Sequence, residues 1–193
     1  MKIGVFIPYH AKLMKYLKSV EKCFAIWDEI FTMQCDYAQV PEHDCRNEGL
    51  ARMAGYDYVF CVDGDEFMVQ EEQRDLIKTM TEHNCDHAVC RVIDYKDMDH
   101  CYEIREHKPI FVANPRKIRF WQGRCYRDGN KPCITDCEVI HHVGYLFDPD
   151  TVKWKSDNYW DYKDKKGVEK IINSPVQKYA MPKEIRDYVE GIH

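Results

Sequence analysis

The first third of the chain alternates short hydrophobic runs with segments whose apolar residues recur at helical spacing. Residues 2–8 (KIGVFIP) combine β-branched and aromatic side chains and end at a proline, which is typical of a buried strand. Residues 56–62 (YDYVFCV) carry the strongest strand signal of the chain. The order β-α-β-α-β predicts a mostly parallel sheet covered by helices. The predicted elements are strand 2–8, helix 12–26, strand 29–35, helix 47–54 with Asp44 as its N-cap, and strand 56–62.

The pattern changes in the second half of the chain. Residues 71–83 predict a helix whose acidic start suits the positive end of the helix dipole. From residue 86 to residue 140 the apolar residues fall into short alternating segments, which predicts antiparallel strands, and residues 182–189 predict a closing helix. The sequence contains neither repeats nor a linker, so it predicts one compact α/β domain over residues 1–193.

The composition excludes some classes of protein and leaves the partner open. A chain of 193 residues with 45% hydrophobic residues can bury a sizeable core. The net charge of −5 lacks the basic signature of non-specific nucleic-acid binding, although a local patch can still hold a nucleic-acid substrate. No apolar run approaches the roughly 20 residues that cross a bilayer, and the N-terminus lacks the features of a signal peptide. The ten cysteines are scattered and are interpreted as reduced thiols, so we predict a cytoplasmic protein without a membrane span.

A cluster of carboxylates follows the strongest strand. Asp63, Asp65 and Glu66 stand within four positions, where they repel one another unless a cation or a basic partner neutralises them. Ligands of open α/β sheets bind at the carboxyl ends of the strands. Because alternate residues of an extended chain share a side, Asp63 and Asp65 suit one hard divalent ion such as Mg²⁺ or Mn²⁺. A solvated acidic turn is the alternative interpretation.

The surroundings of this cluster resemble a known enzyme family. Residues 46–51 (RNEGLA) and 55–67 (GYDYVFCVDGDEF) resemble the RNxGLxxAxGxDxxxxxDxDEF stretch of family 2-like glycosyltransferases. Residues 140–145 (IHHVGY) look like the HHxGY segment of the same group, and residues 114–120 (NPRKIRF) are similar to its kpRlFr strand. The resemblance implies a GT-A fold and a metal-dependent, inverting transfer of a hexosyl or pentosyl group from a nucleotide-diphosphate sugar, with UDP-sugars favoured.

The resemblance also implies a metal site. Asp65 would bind the ion directly, Asp63 would contact the ribose or reach the metal through water, and His142 would be the ligand from the far side. Imidazole suits Mn²⁺ better than Mg²⁺, so we expect Mn²⁺ first. The alternative is a strand end with one of His141 and His142 pointing inward and the other outward.

The donor nucleotide is expected over the first two strands. By resemblance, Pro8, Tyr9 and Asp36 would hold the nucleobase, with Asp36 accepting a hydrogen bond from a pyrimidine imide. Arg46 and Asn47 lie near the start of a helix, where exposed N–H groups and the helix dipole favour anions. Their alternative role is a salt bridge at the helix N-terminus.

The remaining candidates lie further along the chain. Lys153 and Lys155 follow the HHxGY segment and are candidates to close over the diphosphate, or else are solvated lysines. Asp128 is the candidate general base by register, with Asp136 and Glu138 behind it. The chain departs from the family here, because residues 125–129 read CYRDG and Asp128-Gly129 is equally a hairpin turn.

Other chemistries fit parts of the sequence. Cys133, Cys137 and His141 are zinc-type ligands, but a β pattern would scatter residues at every fourth position. A nucleotidyltransferase-like phosphate-handling enzyme also uses paired carboxylates with Mg²⁺, yet no glycine-rich phosphate loop is found. A catalytically inactive module that binds a nucleotide sugar is the third alternative. For a transferase the acceptor is open, and a surface glycan, a lipid-linked sugar and a hydroxylated base in phage-type DNA are all candidates.

Overall fold

The computed structural model describes the strands and helices of most of the chain. It covers residues 1–36, 39–102, 109–122, 125–126, 131–147, 149–158 and 173–191. The strands are β1 (Ile3–Tyr9), β2 (Glu29–Gln34), β3 (Tyr58–Cys61), β4 (Glu66–Phe67), β5 (His87–Asp94), β6 (His100–Tyr102), β7 (Ile110–Ala113), β8 (Phe120–Gln122), β9 (Cys125–Tyr126), β10 (Pro132–His142) and β11 (Val176–Lys178). The helices are α1 (Leu17–Cys23), α2 (Glu42–Arg52), α3 (Gln70–Glu82), α4 (Pro149–Asn158) and α5 (Lys183–Glu190), with 3-10 turns at Ala11–Leu13 and Gly144–Leu146.

A seven-stranded mixed sheet forms the centre of the fold, in the order β2-β1-β3-β7-β5-β10-β4. Strand β1 lies parallel to both β2 and β3, and β5 lies parallel to β10. Strand β7 runs antiparallel between β3 and β5, and β4 runs antiparallel to β10 at the edge. The predicted α/β class with a mostly parallel central sheet is therefore confirmed.

The prediction of antiparallel strands throughout residues 86–140 is wrong for one pair. Strands β5 and β10 run in the same direction, with Val92 opposite Ile140. Alternating apolar and polar residues identify a half-buried strand, but they carry no information on its direction. The chain between β5 and β10, which includes the antiparallel strand β7, decides that direction.

The two faces of the sheet bury separate hydrophobic clusters. Ile3, Val5 and Ile7 of β1 point into the larger cluster, which α1, α3 and α5 cover. Phe6 points to the opposite face and packs with Leu50 of α2. This alternation follows from the two-residue period of a strand, so a single hydrophobic run supplies both faces of the core.

Helix boundaries differ from the predictions at the N-termini. Helix α2 begins at Glu42 with Pro41 as its N-cap residue, and not after Asp44. Proline lacks a backbone N–H, so none is left without a partner at this position. The carboxylates of Glu42 and Asp44 in the first turn interact favourably with the helix dipole. None of the helices in the described part of the chain combines the length and the apolar character that a membrane span requires.

Helix α2 approaches β1 very closely at Gly49. A Cβ atom at this position would lie 2.3 Å from the Phe6 ring, so only glycine allows this approach. Arg46 lies one turn earlier on the same helix and is completely buried. The close contact therefore brings the Arg46 guanidinium to the carboxyl ends of the central strands.

Candidate active site

Asp63, Asp65 and Glu66 lie in one turn, which is called the carboxylate turn below. This turn meets the end of β10 at the carboxyl ends of the strands. Strand β4 pairs with β10, which places Glu66 opposite His142. The backbone N–H of Val143 donates to the carbonyl oxygen of Asp65 at 2.9 Å. The two segments that the sequence proposed as metal ligands are thus joined by backbone pairing.

Asp65, His142 and Asp94 form a buried chain of charged side chains. The Nε2 atom of His142 lies 3.4 Å from Oδ2 of Asp65, and its Nδ1 atom lies 2.6 Å from Oδ1 of Asp94. Asp65 and Asp94 are 3% and 2% exposed, so little water competes for these contacts. Burial lowers the pKa of His142, but the adjacent carboxylates of Asp65 and Asp94 outweigh it and raise this pKa to about 9.

Sequence reasoning missed Asp94. It is the last residue of β5, and it reaches His142 because β5 and β10 pair in parallel, with Asp94 opposite His142. The available signal was a carboxylate that closes a hydrophobic strand, the same signal that identified Asp63. Since Asp94 occupies Nδ1, the Nε2 atom of His142 faces Asp65.

Gly144 packs directly against Asp65 and His142. A Cβ atom at this position would lie 2.5 Å from Oδ2 of Asp65 and 2.6 Å from Nε2 of His142. Any other residue would therefore push on both polar atoms. The absence of a side chain at Gly144 thus lets the backbone come close to both a carboxylate oxygen and an imidazole nitrogen.

Arg46 forms an ion pair with Asp63, the first carboxylate of the turn. Its Nη2 atom lies 2.5 Å from Oδ1 of Asp63 and 2.5 Å from Oε1 of Glu42, while its Nε atom lies 2.8 Å from the same Glu42 oxygen. Glu66 accepts a hydrogen bond from the backbone N–H of Asp63 at 2.9 Å. Each carboxylate of the cluster therefore has a basic or N–H partner, which explains how three of them are tolerated in one turn.

The side chain of Asn47 forms two hydrogen bonds to strand β8. Its Nδ2 atom donates to the carbonyl oxygen of Phe120 at 2.9 Å, and its Oδ1 atom accepts from the N–H of Phe120 at 2.8 Å. The side-chain amide thus pairs with the backbone as a neighbouring strand would. This is a structural role that links α2 to β8.

The residues expected around the nucleobase lie together. The parallel pair β1 and β2 places Pro8 opposite Met33 and Tyr9 opposite Gln34. The N–H of Cys35 donates to the carbonyl oxygen of Tyr9 at 2.7 Å, so the exposed Asp36 follows directly beyond the strand end. The structure therefore brings Pro8, Tyr9 and Asp36 to the carboxyl ends of the parallel strands, where the carboxylate turn also lies.

Helix α4 packs on the turn that follows β1. The rings of Trp154 and His10 lie 4.5 Å apart, and Nζ of Lys12 lies 4.6 Å from the centre of the Trp154 ring. Lys153 is exposed on this helix. The side chain of Lys155 lies outside the described residues, although its backbone belongs to α4.

The candidate bases fall in parts of the chain that the structure does not describe in full. Asp128 lies outside the described residues, and so do the side chains of Asp136 and Glu138 on β10. The side chain of Cys137 is likewise outside them. Within the described residues, no group of three or more His, Cys, Asp or Glu side chains is arranged to hold a metal ion by itself.

His141 points away from Asp65. It is 1% exposed, and its Nδ1 atom lies 3.0 Å from the hydroxyl oxygen of Tyr95. Burial lowers the pKa of His141 to about 4, so this imidazole is neutral near pH 7. The two adjacent histidines therefore have different surroundings, and only His142 contacts Asp65.

Comparison with solved structures identifies the fold. The chain superposes on S. aureus TarS with a TM-score of 0.52 and 11% identity, covering 90% of this chain and 43% of TarS. It superposes on the fragment TarS 1–349 with a TM-score of 0.53 and 13% identity, covering 87% of this chain and 69% of the fragment. For the complex of TarS 1–349 with UDP-GlcNAc the TM-score is 0.50 and the identity 11%, with coverages of 90% and 72%. This chain thus spans less than half of the length of TarS.

Comparison by sequence finds no related protein or family. No family model matches the chain, and no curated protein matches it. The structural likeness at this low identity establishes a shared fold, and the GT-A fold class expected from the sequence is confirmed.

Proposed function

We propose that this protein is a metal-dependent glycosyltransferase that moves a sugar from a UDP-sugar to an acceptor hydroxyl. The observation that carries the proposal is the meeting of Asp65 and His142 at 3.4 Å, with Gly144 packed closely against both. Two segments far apart in the sequence supply these groups at the carboxyl edge of the sheet, where ligands of such folds bind. The fold shared with a protein crystallised with UDP-GlcNAc supports the choice of donor.

Asp65 and His142 fit a divalent cation. A carboxylate oxygen and an imidazole nitrogen suit Mn²⁺ and, less well, Mg²⁺, and two protein ligands leave positions for phosphate oxygens. The Asp94 contact at Nδ1 turns Nε2 toward the site, as a second carboxylate does in many metal-bound histidines, and a bound cation would take the place of the Nε2 proton. When bound, the ion would stabilise the negative charge that develops on the departing diphosphate.

The chain's other residues would bind the donor around that ion. We assign Pro8, Tyr9 and Asp36 to nucleobase binding, because they lie together at the carboxyl ends of β1 and β2. Asp63, which Arg46 holds in place, would accept from the ribose hydroxyls or hold a water next to the metal. Lys155 is proposed to approach the diphosphate from α4.

A base would complete the transfer. We assign Asp128 to remove the proton from the acceptor hydroxyl as the acceptor oxygen attacks the anomeric carbon and the bond to the diphosphate oxygen breaks. A single displacement of this kind inverts the anomeric centre. The acceptor is proposed to be a glycan hydroxyl or a hydroxylated base in DNA.

Nucleotide binding tests the proposal directly. We expect UDP with Mn²⁺ to raise the melting temperature of the wild-type protein, because a ligand at a hundred times its Kd stabilises by ~2.7 kcal/mol. Asp65→Asn should lose this shift, since it removes the charge that holds the ion. Asp75→Asn, which changes an exposed carboxylate on α3, should keep it.

Turnover separates an enzyme from a binding module. Hydrolysis or transfer of a UDP-sugar by the wild type, reduced in Asp65→Asn and in Asp128→Asn, would support the proposed reaction. Metal-dependent UDP binding without turnover of any nucleotide sugar would favour the inactive module. If neither UDP, GDP nor CMP stabilises the protein with Mn²⁺, the proposal is wrong.

A further inference from the structure

Two cysteine side chains pack against each other beside the proposed donor site. Cys35 directly follows β2, and Cys45 lies in the first half of α2. They are 3% and 7% exposed and form a small cluster with Met33, apart from the two main clusters of the core. The hydrogen bond from Cys35 N–H to the Tyr9 carbonyl and the helical backbone around Cys45 hold both residues in regular structure.

The surroundings of Cys45 favour its thiolate form. A hydrogen bond with the Cys35 side chain lowers the pKa of Cys45, burial opposes this, and the adjacent Arg46 adds to the lowering. The position near a helix N-terminus acts in the same direction. Cys23 provides the contrast, because burial raises the pKa of its thiol to about 12. The thiolate is the reactive form of cysteine, so Cys45 is the more reactive of these two buried thiols.

We propose that Cys35 and Cys45 are a redox-active pair that forms a reversible disulfide and thereby alters donor binding. With oxidised glutathione as the oxidant, the Cys45 thiolate attacks one sulfur of the disulfide and expels one glutathione thiolate. Cys35 then attacks Sγ of Cys45, loses its proton and expels the second glutathione. The two protein thiols are oxidised, and one molecule of oxidised glutathione is reduced to two of glutathione.

The disulfide would affect the donor site through the residues that follow the two cysteines in the sequence. Asp36 follows Cys35, and Arg46 follows Cys45 and contacts Asp63 at 2.5 Å. A disulfide would join the end of β2 covalently to α2 and so restrain the residues that follow each cysteine. This consequence for binding rests on the proposed function, whereas the formation of the disulfide does not.

Mass mapping of the whole chain tests the disulfide. The purified protein is incubated with oxidised glutathione, its remaining thiols are alkylated, and its peptides are analysed without reductant. We expect a peptide pair joined through Cys35 and Cys45 that dithiothreitol separates. Cys23→Ser should still form the link, whereas Cys35→Ser and Cys45→Ser should not.

Calorimetry of UDP binding with Mn²⁺ tests the consequence. We expect a several-fold weaker affinity for the oxidised wild type, restored by dithiothreitol, and no change on oxidation of Cys45→Ser. Absence of the linked peptide from the wild type would overturn the proposal, and a linked protein that binds UDP as tightly as the reduced one would overturn its effect on binding. If the reduced protein binds no UDP, the proposed function fails, while the disulfide is still judged by mass mapping.

Discussion

At the scale of single residues, the site depends on which atoms of His142 are already occupied. Asp94 takes Nδ1 and Asp65 lies at Nε2, so the imidazole is held between two buried carboxylates. A ring held in this way cannot rotate without losing a charged hydrogen bond. The orientation of the proposed metal ligand is therefore determined by Asp94, which contacts the other ring nitrogen from Asp65.

Removing the charge of Asp94 should weaken metal binding without abolishing it. In Asp94→Asn the amide can still contact Nδ1 but no longer raises the basicity of the imidazole, and loss of such a partner typically costs 10–100-fold in metal affinity. Titration of Mn²⁺ followed by electron paramagnetic resonance measures this. Asp99→Asn, at an exposed position, serves as the control, and equal affinities of both variants would contradict the assignment.

His141 should make the fold sensitive to acid. Its pKa is lowered from 6.5 to about 4 by burial, so the unfolded chain binds a proton that the folded chain does not. The stability associated with neutral His141 is present above pH 6.5 and is lost as the pH falls from there toward 4. Over this pH range we expect the free energy of unfolding of His141→Gln to fall by less than that of the wild type, the difference being on the order of 2 kcal/mol. Urea unfolding in the presence of a chelator measures this. Parallel pH profiles of variant and wild type would exclude this role.

At the scale of elements, the site is made at junctions between strands and turns. Asp65 comes from the turn after β3, Asp94 ends β5 and His142 ends β10, and β-pairing holds the three in register. Glycines then decide how closely these elements approach. Gly49 allows helix α2 to approach β1, and Gly144 allows the turn after β10 to approach Asp65 and His142.

Gly144→Ala should damage the site more than the fold. The added Cβ would lie 2.5 Å from Oδ2 of Asp65, so the carboxylate or the turn must move. We expect Mn²⁺-dependent stabilisation by UDP to fall at least several-fold, while the circular dichroism spectrum remains that of the wild type. Gly55→Ala is the matched control because a Cβ there meets nothing within 4 Å. An unchanged response to UDP in Gly144→Ala would show that donor binding does not depend on the close packing at Gly144.

At the scale of the whole molecule, one sheet combines strands from distant parts of the chain. Strand β7 lies between β3 and β5, and β4 from the first half pairs with β10 from the second. Neither half of the chain can complete its part of the sheet alone. The fold thus depends on long-range pairing more than on local elements.

This arrangement predicts a single cooperative unfolding transition. We expect far-ultraviolet circular dichroism and tryptophan fluorescence to give the same midpoint in urea, because separating β7 would expose both clusters of the core. Such coincidence would support one domain over the whole chain. Two separate transitions would indicate two folding units.

Much of the fold and part of the site followed from local patterns. The hydrophobic runs located the strands of the parallel half, and the carboxylates after β3 identified the edge at which a ligand would bind. Asp65 and His142 were proposed as partners from the resemblance of their flanking residues, and they meet at 3.4 Å. These features are local because strand propensity and strand-end chemistry depend on neighbours in the sequence.

Tertiary structure decided the rest. Asp94 lies 48 positions from His142, and only the parallel pairing of β5 with β10 brings the two together. Asn47 looked like an anion-binding residue at a helix start, but its amide pairs with Phe120, which is 73 positions away. The sequence by itself determined which segments are buried and where carboxylates cluster, because those properties depend on short-range periodicity. Strand direction and the partner of each polar group depend on long-range packing, which no local pattern encodes.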